Sequence, residues 1–187
     1  MMNRRQFVAT AAAAATAPAL PAAAQSFQID PKYMPQDVNI SAQYAPGQML
    51  ILPKAHFLYL ITEQGRARRY GVGVGKAGLE FTGRATIDVK KKWPTWRPTQ
   101  EMIEREPQTY AKFKGNDYVQ PGGKSNPLGA RALYLFQNGR DTYFRIHGTT
   151  APRSIGRSVS NGCIRMINEH VIDLYERVPL GTVVTVL

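Results

Sequence analysis

The chain has 187 residues, 43% apolar and 10% aromatic, which is enough for one well-buried domain and argues against a disordered or fibrous protein. Its formal charge of +11 favours polyanionic surroundings. Nucleic acid is nonetheless not the expected partner, because zinc-finger spacing, RNA-binding sheet motifs and Arg/Lys-dense recognition helices are all missing from the sequence.

The first residues carry Arg4-Arg5 before Phe7, then an alanine-rich apolar stretch to Leu20, then Ala22-Xaa-Ala24. This is the three-part grammar of an export signal, and the paired arginines make residues 1–24 a twin-arginine-like signal peptide with cleavage before Gln25. The apolar stretch is shorter and more alanine-rich than a spanning helix of about 20 residues. Export to the periplasm is therefore expected, and loss of Arg4 and Arg5 leaves a formal charge of +9. Residues 25–46 are rich in Pro, Gln, Ser and Ala without periodicity and read as a linker or N-terminal extension, with the folded domain over 47–187.

Short apolar runs at Gln48 to Leu52 and His56 to Thr62, then Arg66 to Val74 after the Glu63-Gln64-Gly65 turn, predict strands. The run Gly71-Val72-Gly73-Val74-Gly75-Lys76 lacks Walker spacing and a following amphipathic helix, so it reads as a glycine-rich strand entering a turn. Ala85 to Lys90 is a further strand, ended by Lys91-Lys92-Trp93-Pro94-Thr95-Trp96-Arg97-Pro98, where two prolines block regular structure. A brief helix capped by Thr99 is expected to about Glu106, followed by irregular chain to Pro127 that covers something. The lysines read as a solvated strand end beside a packed aromatic loop rather than as a glycan site.

Ala130 to Gln137 and Thr142 to His147 form a hairpin about Asn138-Gly139, and Tyr143, Arg145 and His147 share one face of its second strand. Asn168 is expected to cap a helix through Val178 with Val171, Leu174, Tyr175 and Val178 on its apolar stripe, followed by a strand over Thr182 to Leu187. Strands dominate and βαβ alternation is missing, so the fold class is mostly β or α+β, with a few short helices.

A disulfide needs two cysteines and Cys163 is alone. A free thiol near pKa 8.5 is only about 3% thiolate at pH 7, so attack requires a lowered pKa or a base. Arg165 and His147, the latter at the end of its strand, are candidates to supply both. Gly162 lets backbone approach closely, and the amides leading into Cys163 are candidate donors to an oxyanion. His56 and His170 have no metal-ligand spacing with Cys163, so no metal is expected.

His147-Gly148-Thr149, Ile155-Gly156-Arg157 and Ser160-Asn161-Gly162-Cys163-Ile164-Arg165-Met166 closely resemble the signature of L,D-transpeptidases, the YkuD-type catalytic domain family. Asn126-Pro127-Leu128-Gly129 upstream and Pro179-Leu180-Gly181-Thr182 downstream extend the resemblance over roughly 47–187. It implies a β-sandwich-like domain with mixed sheets and cysteine acyl transfer on peptidoglycan stem peptides, without a cofactor. In that scheme Cys163 is the nucleophile, His147 the base and the Gly148 carbonyl the group that orients the imidazole. Arg165, Ser160, Asn161, Gly162 and Thr149 are then the substrate-binding set.

The acyl acceptor implied is an amine of a second stem or of an outer-membrane or wall-attached protein. Water as acceptor would make a carboxypeptidase, and a non-catalytic wall-binding domain would be expected to lack Cys163 or His147. Two positions depart from the family pattern. Asn161 stands where His is common, and Phe81-Thr82-Gly83 where Thr-Pro-Xaa-Gly is common; Asn forms hydrogen bonds but does not transfer protons.

Overall fold

The computed structural model describes residues 27–187. The signal-like segment 1–24 lies outside the described residues. In chain order the elements are β1 (Gln36–Asn39), β2 (Met49–Leu52), β3 (Phe57–Glu63), β4 (Arg66–Gly71), β5 (Val74–Gly75), β6 (Gly83–Lys92) and α1 (Gln100–Arg105). They continue with β7 (Arg131–Gln137), β8 (Arg140–His147), β9 (Ser158–Ser160), β10 (Ile164–Arg165), α2 (Asn168–Arg177) and β11 (Val183–Val186). The expected strands, both helices and the mostly-β class are present.

Nine strands form one mixed sheet in the order β1-β4-β3-β2-β11-β6-β7-β8-β10, while β5 and β9 pair separately in parallel. Within the large sheet β11 runs parallel to β2 and β10 parallel to β8; the other neighbours are antiparallel. Period-two alternation splits each strand between two faces. Met49 and Ile51 of β2 join Leu58, Ile87, Leu133, Leu135 and Ile146 in the main core, whereas Leu50 lies in a second cluster with Ile61 and Ala67. Val171, Leu174 and Tyr175 of α2 complete the main core, as the helical stripe predicts.

Val38, Ile40 and Tyr44 cover the second cluster. Residues read from the sequence as an irregular extension thus include a strand, β1, paired antiparallel with β4. Three apolar side chains among polar ones are too sparse for a visible period, and the pairing partner is distant in sequence.

The β7–β8 hairpin turns on Asn138 and Gly139 at φ +53° and +72°, the left-handed pair that a two-residue hairpin requires. Thr99 caps α1 by accepting from the Met102 amide at 3.2 Å. The residue before α2 is Ile167, which makes no side-chain cap; Asn168, the expected cap, is instead the first helical residue. Its side chain accepts from the Ala130 amide at 3.0 Å and donates to the Thr149 carbonyl at 3.2 Å.

At the other end of α2, Lys90 donates to the carbonyls of Tyr175 and Val178 at 2.6 Å each. A lysine on these carbonyls satisfies orphan acceptors and complements the helix dipole, so the first of the three lysines serves the fold. The long irregular segment is organised by Arg97, whose guanidinium donates to the carbonyls of Tyr118 at 2.5 Å, Phe113 at 3.1 Å and Asn116. Trp96 packs edge-on to Phe113 at 5.2 Å and lies 6.1 Å from Tyr110, ring centre to ring centre.

Candidate active site

His147 ends β8, and β10 lies beside that end in the register Ile164 to Ile146 and Arg165 to His147. The short parallel pairing therefore brings Cys163, immediately before β10, alongside Arg145 at the end of β8 that carries His147. The His147 ring is 4% exposed, with Nδ1 2.5 Å from the Gly148 carbonyl. A carbonyl only accepts, so Nδ1 carries the proton and Nε2 is the basic nitrogen.

Burial takes the His147 pKa down to about 4; the Gly148 carbonyl and, more weakly, the Leu128 carbonyl oppose that, and the Arg165 and Arg145 charges add to it. The imidazole is neutral at pH 7. Burial also pushes the half-buried Cys163 thiol up, opposed first by the Arg145 amide, then by the Arg145 and Arg165 guanidiniums. The resting pair is thus a neutral thiol and a neutral imidazole, and charge develops only when the proton moves.

Gly148 is required where it stands: a Cβ would collide with Asn168 Oδ1 and press on the Ala130 amide at 3.0 Å. Asn168 thereby ties the turn after His147 to the chain before β7. Thr149 is buried, and its hydroxyl accepts from the Ala151 amide at 3.0 Å, inside the same turn.

The cysteine turn is held by Ser160, which is 1% exposed, donates to the Cys163 carbonyl at 2.6 Å and accepts from the Gly162 amide at 3.2 Å. Gly162 has φ +120°, and a Cβ there would meet the Leu79 carbonyl and the Phe144 ring, each at 2.6 Å. Asn161 donates to the Tyr110 hydroxyl at 3.0 Å, while its Oδ1 is buried without a partner among the described residues. The long loop consequently reaches the turn that carries Cys163.

Arg165 is half-buried and exchanges backbone hydrogen bonds with Gly73, at 2.9 Å and 2.7 Å. The glycine-rich Gly71 to Lys76 run is therefore the wall behind Arg165, with β5 paired to β9. Phe144 packs on Phe81 at 5.3 Å, and both line a hollow of about 580 Å³ with Thr142, Asp141 and Arg140.

Several contributors escaped the sequence reading. Tyr110 reaches Asn161 only through the fold of an irregular loop. Arg145 shares the expected face with His147, but nothing in the sequence announces its bond to Asp141. A register shift between Tyr134 and Phe136 inserts a bulge in β8, interrupting the expected common face; Tyr143 sits there at φ +62° and 69% exposed.

The YkuD family model, an L,D-transpeptidase catalytic domain, matches residues 46–186. The Probable L,D-transpeptidase ErfK/SrfK of Escherichia coli (strain K12) is 32% identical over 158 residues, covering 82% of this chain and 48% of its own length. Its Salmonella typhimurium namesake is 38% identical over 157 residues, with the same coverage. The chain spans about half the length of these curated relatives.

Among solved structures, a Brucella melitensis protein described as a probable carnitine operon oxidoreductase caia is 59% identical. Its TM-score is 0.57, over 82% of this chain and 93% of that one. An L,D-transpeptidase from Mycobacterium smegmatis has the same fold at 18% identity, with TM-score 0.54 over 75% of this chain and 58% of that one.

Proposed function

The chain belongs to the YkuD family of L,D-transpeptidase catalytic domains, and from that premise we propose that it is an exported cysteine acyltransferase acting on peptidoglycan stem tetrapeptides. The observation that carries this reading is the β8–β10 register, which sets a neutral, oriented His147 beside the turn holding Cys163.

His147 Nε2 takes the thiol proton as sulfur attacks the carbonyl at the L-centre of the stem's diamino acid. The resulting oxyanion takes the Cys163 amide, since the Gly162 amide is engaged by Ser160. Collapse breaks the bond to terminal D-alanine, whose amine receives the proton from His147, and leaves a thioester. An acceptor amine then gives up a proton to His147, attacks the thioester and restores the thiol. Arg165, half-buried beside the pair, is positioned to meet a substrate carboxylate, with Asn161 on the cysteine turn and Tyr110 reaching it from the long loop. The acceptor amine belongs to a second stem or to a wall-attached or outer-membrane protein, and the periplasm is the site of action.

The oxidoreductase description of the Brucella chain is the less favoured reading. Gly71 to Lys76, the stretch that most invites a nucleotide, is here strand and site wall rather than a loop opening a helix.

The test is to incubate the protein without residues 1–24 with disaccharide-tetrapeptide muropeptides and resolve products by mass. Cross-linked dimers with release of D-alanine are expected, and Cys163→Ala is expected to form none. Tripeptide monomers alone would identify water as the acceptor, and products that persist in Cys163→Ala would overturn the assignment. A carbapenem is likewise expected to add its mass to the wild type and not to Cys163→Ala.

A further inference from the structure

β10 pairs with only Ile146 and His147, so the edge of β8 before them is left open. In a strand the carbonyl of one residue and the amide two residues later face the same side. The bulge keeps this relation at the Cys163 end: the sulfur stands where the ladder would continue, 3.9 Å from the Tyr143 oxygen and beside the Arg145 amide. The nucleophile stands in for the next strand residue.

This edge depends on the bulge. Tyr143 at φ +62° holds a conformation that a tyrosine adopts only under constraint. The constraint is local: Asp141 accepts from the Tyr143 amide at 2.8 Å, and Thr142 donates to the Leu135 carbonyl at 2.6 Å while accepting from the Phe144 amide at 3.2 Å. Arg145 closes the device by donating to both Asp141 oxygens at 2.7 Å. In an extended strand residues four apart lie about 13 Å from each other, so this bidentate pair exists only because the strand is bulged. The guanidinium is also stacked 4.0 Å over the Tyr134 ring and 12% exposed.

We propose that the Asp141–Arg145 pair is a positioning device for Cys163, locking the bulge so that the Tyr143 carbonyl and the Arg145 amide seat the sulfur. The inference rests on Cys163 being the nucleophile. In the resting site the thiol proton is directed to the Tyr143 carbonyl; once His147 takes it, the Arg145 amide and guanidinium face the thiolate. The opposition of these two Arg145 groups to the rise of the thiol pKa accords with that role. The charged or titratable groups felt at the sulfur are Asp141 and Arg145 of β8, Tyr134 of β7 and Arg165 beyond the cysteine, and His147 lies two residues on from Arg145 in the same strand.

The experiment is the pH dependence of Cys163 alkylation by iodoacetamide, followed by intact mass, which needs no peptidoglycan. Arg145→Gln is expected to slow alkylation at pH 7.5 about tenfold, corresponding to a thiol pKa about one unit higher. Asp141→Asn separates positioning from plain electrostatics. Removing a negative charge near the sulfur by itself speeds alkylation, whereas loosening the seat slows it. Slower alkylation in both variants supports the proposal; an Asp141→Asn rate equal to or above wild type, or an unchanged Arg145→Gln, overturns it. Should Asp141→Asn not fold, Asp141→Glu keeps the charge and displaces the carboxylate, so that slower alkylation supports the seat and an unchanged rate overturns it. Failure here leaves the muropeptide reaction untouched, and failure of that reaction is read separately in the product assay.

Discussion

His147, the proposed base, is buried and neutral, and that same burial makes the fold sensitive to acid. Its pKa is about 4 in the folded protein, against roughly 6.5 for an unfolded histidine. Between those values the unfolded chain binds the extra proton, so the stabilisation is full above about pH 6.5 and is lost as pH falls towards 4. The loss is on the order of 3 kcal/mol. Burial lowers His56 and His170 in the same direction. Thermal melting is expected to drop between pH 7 and pH 4.5, with a shallower drop in His147→Gln; equal slopes would show that His147 is not the linked group. The same variant is expected to lower the muropeptide rate by about 10² to 10⁴. At this scale Cys163, His147 and Gly148 were legible as candidates, because they lie in a compact signature of chemically distinctive residues. Arg145, Asp141 and Tyr110 were not, since each matters through a bulge or a loop that no periodicity announces.

The long segment between β6 and β7 shows how chain that is largely irregular apart from α1 acquires a shape. Arg97 replaces a missing ladder by donating to three carbonyls of its own loop, a geometry that depends on a planar fork. Arg97→Lys is therefore not conservative. Trypsin is expected to cut the variant at Lys112 and Lys114 several-fold faster under native conditions, with little change in the global melting midpoint. A cleavage rate equal to wild type would mean that the aromatic cluster alone suffices. Long strands and both helices were visible in the sequence because their apolar spacing is local. The short strands β1, β9 and β10 were not, because, unlike β2 and β11, they carry no apolar run of their own and their partners are distant in the chain. The Asn138-Gly139 turn was readable for the opposite reason: its left-handed backbone demands those residues.

Across the whole molecule, the feature that no local pattern discloses is the place of β11, wedged between β2 and β6 at the middle of the sheet. Val184 is fully buried there, paired with Met49 on one side and Ala85 on the other. Val184→Asp is expected to cost more than about 4 kcal/mol and abolish the cooperative melt, because the carboxylate is buried without a partner. A retained melt near the wild-type midpoint would show that the two halves of the sheet hold together without this strand. β1 to β4 form one antiparallel group, and β6 to β8 another. The halves meet through β11 and again at the cysteine turn, through β5–β9 and Gly73 with Arg165. During synthesis, both groups leave the ribosome before Val183 does, each with an unpaired edge facing the gap that β11 will fill. Assembly of the face that carries Cys163 must therefore wait for a strand that holds none of the candidate site residues, and the cysteine itself is made while its sheet is still in two parts.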